Sequence, residues 1–322
     1  MSILRPAIEL TAGGTGLSGP EAAVVRVQCD MTVGAAMDIA IVACTYHSPL
    51  VDVAVGDDFS IGLGYAEAES ATVLTGKVSA IDFNPNTIAI EVEAATGALT
   101  RYYHAGSYVQ QTIGDIISDL VSQAGLTTGT IEAAQSLSAY HVDERRAVWS
   151  HIVDLSDIGD LSLTTSAEGA LEVREPKSSP VSSTLRYGAE LLVWQAGPRQ
   201  AGDMAFQAAP YGAGSEEGSE KWHILLKDPT GGSPDAPTLV LPAIRDRETA
   251  DAFSEGRESR KTRRGIHGRA VVTGTPALRA GDVIEMVDLP TGGDLTFRCR
   301  SVCHEISPDT GFTTQLLLEA TL

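Results

Sequence analysis

The sequence predicts a mainly β protein with an α+β insertion. A β-domain spans residues 1–99, a helical module 100–176 and a second β-domain 177–322. Three observations carry this reading. Through the first hundred residues, short β-branched runs recur between Gly, Pro, Asp and Asn at roughly 8–12-residue spacing, the mark of a sandwich or barrel. The apolar period then becomes helical near residue 100. Strand-like runs return after Lys177–Pro180, which reads as a linker.

In chain order, Met1–Arg5 leads into a strand-like stretch, and Gly13-Gly14-Thr15-Gly16 marks a turn. Ala23–Cys29, Met37–Thr45, Val51–Val55, Phe59–Leu63, Ala71–Ile81 and Thr87–Ala94 read as strands. Their alternation suits an antiparallel sheet with one wet face. In the module, Ile113, Ile116, Ile117, Leu120 and Val121 make one helical face, with Thr112 as N-cap, Asp115 in the first turn and Gly125 as the stop. A second helix is expected from about Asp143 to Ile158, then a hairpin of Leu161–Thr165 and Ala170–Val173 around Glu168-Gly169. The second β-domain opens with Ser183–Arg186 and Ala189–Gln195 around Tyr187-Gly188. Met204–Ala208 and Trp222–Lys227 follow, bracketing a Gly- and Ser-rich loop. Prolines 229, 234, 237 and 242 make the next stretch extended or looped. Asp246 caps a polar helix to about Arg264. Arg269–Thr273, Asp282–Val287, Thr296–Ile306 and Phe312–Leu318 close the chain as strands.

Composition narrows the function. Forty-two acids against 23 bases give a net charge of −19, which argues against a free-standing nucleic-acid binder. At 43% hydrophobic residues the chain is not disordered. No apolar run approaches the ~20 residues of a membrane span, and Met1–Arg5 has no signal-peptide pattern, so a soluble protein made in a cytoplasm is expected. The four cysteines are too few and too scattered for a disulfide framework. On one strand Cys299 and Cys303 would lie about 13 Å apart, too far to bridge. Buried free thiols are expected.

Catalytic and cofactor motifs are missing. There is no H-E-x-x-H, C-x-x-C, G-x-S-x-G or Walker loop. Cys303 and His304 would point to opposite faces of a strand, so they do not make a metal site. Gly212–Gly218 has the wrong spacing for a dinucleotide loop and carries two glutamates. Asp57-Asp58, Glu67, Glu69, Glu216-Glu217 and Glu220 do not resolve into an acid/base pair. No enzyme activity, cofactor or metal is expected. One charge feature stands out. Residues 245–269 hold eight bases against five acids, so they are +3 in a chain that is −22 elsewhere. Arg257, Arg260, Lys261, Arg263 and Arg264 are either a solvated helix face or a contact to an acidic partner or neighbouring subunit.

Several segments together resemble a known family. Gly56-Asp57-Asp58-Phe59-Ser60-Ile61-Gly62-Leu63-Gly64-Tyr65, followed by Leu74-Thr75-Gly76-Lys77-Val78, is similar to a pattern of contractile-tail hub proteins, with one extra Asp. These include the phage late control protein D family and the hub half of type VI secretion spikes. Gly274-Thr275-Pro276-Ala277-Leu278-Arg279-Ala280-Gly281-Asp282-Val283-Ile284 resembles the family's G-x-P-x-L-x-x-G-D-x-I. Val302–Ile306 with Thr310–Thr314 resembles its V-x-H-x-φ … G-F-x-T ending, and Tyr103–Leu126 its helical segment.

The resemblance implies two tail-tube-like β-barrel domains with a helical insertion. It implies a homotrimer whose six barrels match a hexameric tail tube protein above and a three-fold central spike below, with tape measure and baseplate wedge proteins as further partners. Three copies would carry −57, three times −19, and DNA or other cargo would only pass through an acidic channel. Under this reading Gly56, Asp57, Gly76, Gly281, Asp282, His304, Gly311 and Phe312 are structural. The chain ends straight after the hub pattern, so the spike is expected to be a separate protein and the particle a phage or phage-like tail assembled in a bacterial host cytoplasm. Two other classes stay open: a tail-associated glycan or peptidoglycan hydrolase, and a carbohydrate-binding β-domain. The first needs paired carboxylates in a cleft. The second needs exposed aromatics on one sheet face, and aromatics are only 5% of the chain.

Overall fold

The computed structural model describes residues 4–68, 70–176, 180–198, 210–214, 224–227, 239–290 and 292–321. The expected strands Met204–Ala208, most of the 210–243 loop with its glutamates, Glu69 and most of the Lys177–Pro180 linker lie outside the described residues.

The first half is all β: β1 (Pro6–Ala12), β2 (Thr15–Ser18), β3 (Val24–Thr32), β4 (Ile39–Cys44), β5 (Asp58–Tyr65), β6 (Ala71–Phe83) and β7 (Ile88–Ala94). Its strands alternate buried and open positions. In β7, Ile88, Ile90, Val92 and Ala94 point into the core while Ala89, Glu91 and Glu93 do not. Val51–Val55, expected as a strand, is not one. Ser48 caps a 3-10 turn at Pro49–Asp52, accepting from the Leu50 amide at 3.1 Å. Proline at the first position of that turn has its φ preset for a turn start.

The module comprises β8 (Gly106–Thr112), α1 (Ile113–Gln123), β9 (Thr128–Ile131), β10 (Ser136–Val142), α2 (Val148–Ile158), β11 (Ser162–Thr165) and β12 (Leu171–Arg174). The Thr112 hydroxyl accepts from the Asp115 amide at 3.0 Å, and the five apolar residues of α1 are all buried. Helix α2 starts five residues later than expected. Asp143 instead folds its carboxylate onto the Arg145 amide at 2.9 Å and holds a turn.

The second half holds β13 (Ser183–Arg186), β14 (Leu191–Pro198), β15 (Pro210–Gly214), β16 (Ile224–Lys227), β17 (Leu239–Val240), α3 (Arg247–Arg264), β18 (Ile266–Thr273), β19 (Val283–Val287), β20 (Leu295–Ser307) and β21 (Gly311–Ala320). Asp246 caps α3, accepting from the Thr249 amide at 2.7 Å. The helix packs on the module: Phe253 and Ala250 join Ile152, Leu155 and Ile158 in its core.

One thirteen-stranded sheet runs through both β-halves, in the order β14-β18-β21-β20-β3-β4-β7-β6-β5-β1-β2, with β19 and β13 branching from β20. The seam is the antiparallel pair β20–β3, with Val302 opposite Met31 and Ile306 opposite Val27. A single core lies under both halves, and the module keeps its own.

Candidate functional site: two complementary sheet edges

The two β-halves repeat one another. Strands β3-β4-β7-β6-β5 pair antiparallel in that order, and β14-β18-β21-β20-β19 do the same in the same chain order. The irregularities coincide. The β3–β4 ladder slips between Val24 and Arg26, and the β14–β18 ladder between Leu191 and Val193. The β6–β7 ladder slips between Val78 and Ala80, and the β20–β21 ladder between Cys299 and Ser301.

The two Gly-Asp turns fall on equivalent positions. Gly56 has φ 98° and Gly281 has φ 97°, left-handed values that suit glycine. The Gly56 amide donates to Val78 O and the Val78 amide to Asp57 O, at 2.8 and 3.0 Å. The Gly281 amide donates to Cys299 O and the Cys299 amide to Asp282 O, both at 2.7 Å. Each aspartate also accepts from the amide three residues earlier, Asp57 from Ala54 at 2.9 Å and Asp282 from Arg279 at 2.8 Å. Burial raises the Asp282 carboxyl pKa.

The remaining pattern residues lie in the sheet and its core. His304 is fully buried. Its Nε2 meets the Leu278 carbonyl at 3.0 Å, so Nε2 carries the proton. Its Nδ1 therefore accepts from the Thr314 hydroxyl at 2.8 Å, and that hydroxyl accepts from the Thr275 amide at 3.0 Å. Burial holds the imidazole neutral, with its pKa down to about 4. Phe312, just after the Gly311 turn, packs 5.4 Å from Tyr65 of the first half, and the Tyr65 hydroxyl donates to Gly274 O at 3.0 Å. Gly76 sits where β6 crosses β7, and a Cβ there would overlap the Glu93 carbonyl. Arg279 ties three parts together. It donates to Val73 O at 3.0 Å and to Thr165 O at 3.1 Å. Val73 is the extra residue of a bulge between Leu74 and Thr72, which leaves its carbonyl free of the ladder.

The repeat leaves two edges open. In the second half, Ser301–Ile306 of β20 uses its side away from β21 to pair with β3. The equivalent stretch of the first half is Ala80–Phe83 of β6, and its side away from β7 has no strand partner among the described residues. The equivalent of β3 is β14, whose side away from β18 is likewise open among the described residues. Transferring the β20–β3 register sets Ile81 opposite Pro198 and Phe83 opposite Ala196. Both edges expose apolar side chains: Phe83 is 69% exposed and Val193 60%. Open apolar edges of this kind invite pairing with another chain.

The sheet's polar face crosses both halves. The cross-strand pairs link Glu9, Asp30, Asp58, Asp82, Glu91, Glu93 and Glu305 on it, with the bases Arg26, Lys77 and Arg269. Three acids are paired: Glu305 with Arg26 at 3.0 Å, Asp58 with Lys77 at 2.7 Å and Glu93 with Arg101 at 2.7 Å. Cys303 lies on this face and His304 on the other, as the strand alternation requires. The basic residues of α3 divide. Arg263 is 5% exposed and grips Asp160 with two bonds of 2.6 and 2.9 Å. Arg260 bonds Asp157 and Asp160. Lys261 pairs with Glu258 at 3.3 Å, and Arg257 lies over the Phe253 ring at 5.5 Å. Arg264 is exposed.

No protein-family model matches the sequence, and no curated protein matches it. Solved structures do match it in shape. A tail protein from Neisseria meningitidis superposes with a TM-score of 0.74 at 15% identity, over 98% of this chain and 96% of that one. The 43 kDa tail protein of prophage MuSo2 from Shewanella oneidensis gives 0.68 at 14% identity, over 97% of each chain. An E. coli type VI secretion component, described as similar in structure to the T4 tail proteins gp27 and gp5, gives 0.63 at 11% identity, over 93% of this chain and 73% of that one. The chain therefore has the fold of phage tail proteins and of a type VI secretion component, the mainly β fold that its Gly-Asp and Gly-Phe patterns resemble.

Proposed function

We propose that this protein is the central hub of a contractile tail baseplate, a non-enzymatic homotrimer. The observation that carries the reading is the internal repeat with its two open, complementary edges. Inside one chain, β20 of the second unit pairs with β3 of the first. The same contact made between chains would pair β6 of one copy with β14 of the next. Such a head-to-tail contact closes into a ring when the rotation fits. Three chains then supply six equivalent sheet units, the number that joins a six-fold tube to a three-fold spike. Closure would remove both open edges and cover Phe83 and Val193. The likeness to tail proteins supports a place in the tail of a phage or phage-like particle.

The polar sheet face would line the channel. Acids outnumber bases on that face, which suits a wall that repels DNA or acidic cargo. The test is electron microscopy of the purified protein mixed with the spike protein of the same particle. Three-fold rings with six sheet units around an open channel are expected. Particles without three-fold symmetry would refute the hub. Replacing Glu91 and Glu93 with Gln should slow DNA delivery, and unchanged delivery would refute the repelling wall.

A further inference from the structure

We infer that an arginine-lined pocket between α2, α3 and β20 receives a carboxylate from an acidic segment of another protein chain. The cavity measures about 280 Å³ and lies where the β3–β4 turn meets the module. Five guanidiniums line it: Arg260, Arg263 and Arg264 from α3, and Arg298 and Arg300 from β20. Three carboxylates of the chain answer them. Asp160 and Asp157 hold Arg260 and Arg263, and Glu319 holds Arg298 at 2.6 Å. Arg264 and Arg300 have no ion pair among the described residues, so the site keeps a charge of about +2 in a chain of net charge −19.

The pocket is built rather than incidental. Arg298 is only 4% exposed. Its two terminal nitrogens bond Glu319 and Ser162, at 2.6 and 2.7 Å, while its buried Nε has no partner. Asp160 sits at φ 49°, a left-handed value for a non-glycine residue, and α3 approaches it closely at Gly256, where a Cβ would come within 2.6 Å of the Asp160 side chain. That close approach sets Arg260 and Arg263 over the end of α2. Burial, and next the charges of Arg300 and Arg260, lower the Arg264 pKa, as expected for crowded guanidiniums.

The chemistry selects the occupant. Guanidinium forks match carboxylates, and three of the five already hold one. A cavity of this size fits a side-chain anion, not a folded surface. The proposal does not depend on the trimeric reading.

The test uses fluorescein-labelled hexaglutamate, titrated into the full chain at low salt and followed by anisotropy. The double variant Arg264→Gln with Arg300→Gln should bind at least about tenfold more weakly. Arg257→Gln, on the same helix but outside the pocket, should bind like the wild type. Melting temperature checks that each variant folds. Should the double variant fail to fold, Arg264→Gln alone serves, since that side chain has no ion pair among the described residues. Equal affinity in wild type and pocket variant, or no binding to the wild type, would overturn the proposal. So would displacement by inorganic phosphate or a single-stranded oligonucleotide at lower concentration than unlabelled hexaglutamate, which would mark a phosphate site.

Discussion

Replacing Arg279 with Met should destabilise the whole β-sheet, not one half of it. The side chain donates to Val73 O in the first half and to Thr165 O in the module, from a loop of the second half. Hydrogen bonds from a charged group contribute about 1.5–3 kcal/mol each. Arg279 is half-buried, so the lower end applies and the expected loss is about 3 kcal/mol. Methionine keeps most of the side-chain volume, so the loss reports the bonds. Urea unfolding measures it as a lower midpoint. A pH dependence adds a second reading. Burial raises the Asp38 carboxyl to about 7, and the Arg279 charge opposes that rise. With a folded value above the ordinary 3.8, Asp38 favours the fold while protonated and loses that contribution as pH rises through about 7. Without Arg279 the ionised form goes uncompensated, so the variant's loss should be larger above pH 7 than below it. A loss within about 0.5 kcal/mol, the range of an ordinary surface change, would refute the bridging role.

Four further outcomes are expected. Gly76→Ala should abolish folding or cost several kcal/mol, since the added Cβ overlaps the Glu93 carbonyl; a midpoint like the wild type in thermal unfolding would contradict this. His304 has a folded pKa near 4, below its ordinary 6.5, so its contribution is full above 6.5 and is lost as pH falls toward 4. The stability gap between wild type and His304→Gln should therefore shrink by up to about 3 kcal/mol over that window, and a constant gap would contradict a buried neutral imidazole. Burial raises the thiol pKa of all four cysteines, Cys303 to about 12, so none should react with a thiol reagent until urea unfolds the chain. Phe83→Lys should leave the melting temperature of the single chain unchanged, because the side chain is 69% exposed, yet lower the trimer fraction by placing a charge on the open edge.

Much of the fold was legible because its signals are local. Thr112 and Asp246 cap their helices as read, and the five apolar residues of α1 are buried. Val51–Val55 misled because alternation alone does not reveal Ser48 and Pro49 setting a turn upstream. The shared sheet was not legible. Pairing of β20 with β3 joins residues far apart in sequence, and no composition shift marks it. The two related β-domains implied by the resemblance leave no fixed period in the sequence, since the two copies share pairing order and bulge positions rather than residues. Their one textual trace is the Gly-Asp pair, present at Gly56-Asp57 and again at Gly281-Asp282. Arg298 and Arg300 carry no signal in the sequence because they stand singly in a strand and meet the α3 arginines only in three dimensions. The basic stretch was visible, but not that Arg260 and Arg263 turn inward onto α2.

The central claim rests on closure of a ring by the β6 and β14 edges. Absolute mass by light scattering tests it most directly, on the chain alone and with its spike protein. The account predicts a species with three copies of the 33.8 kDa chain in at least one of the two conditions. A stable monomer in both would contradict it.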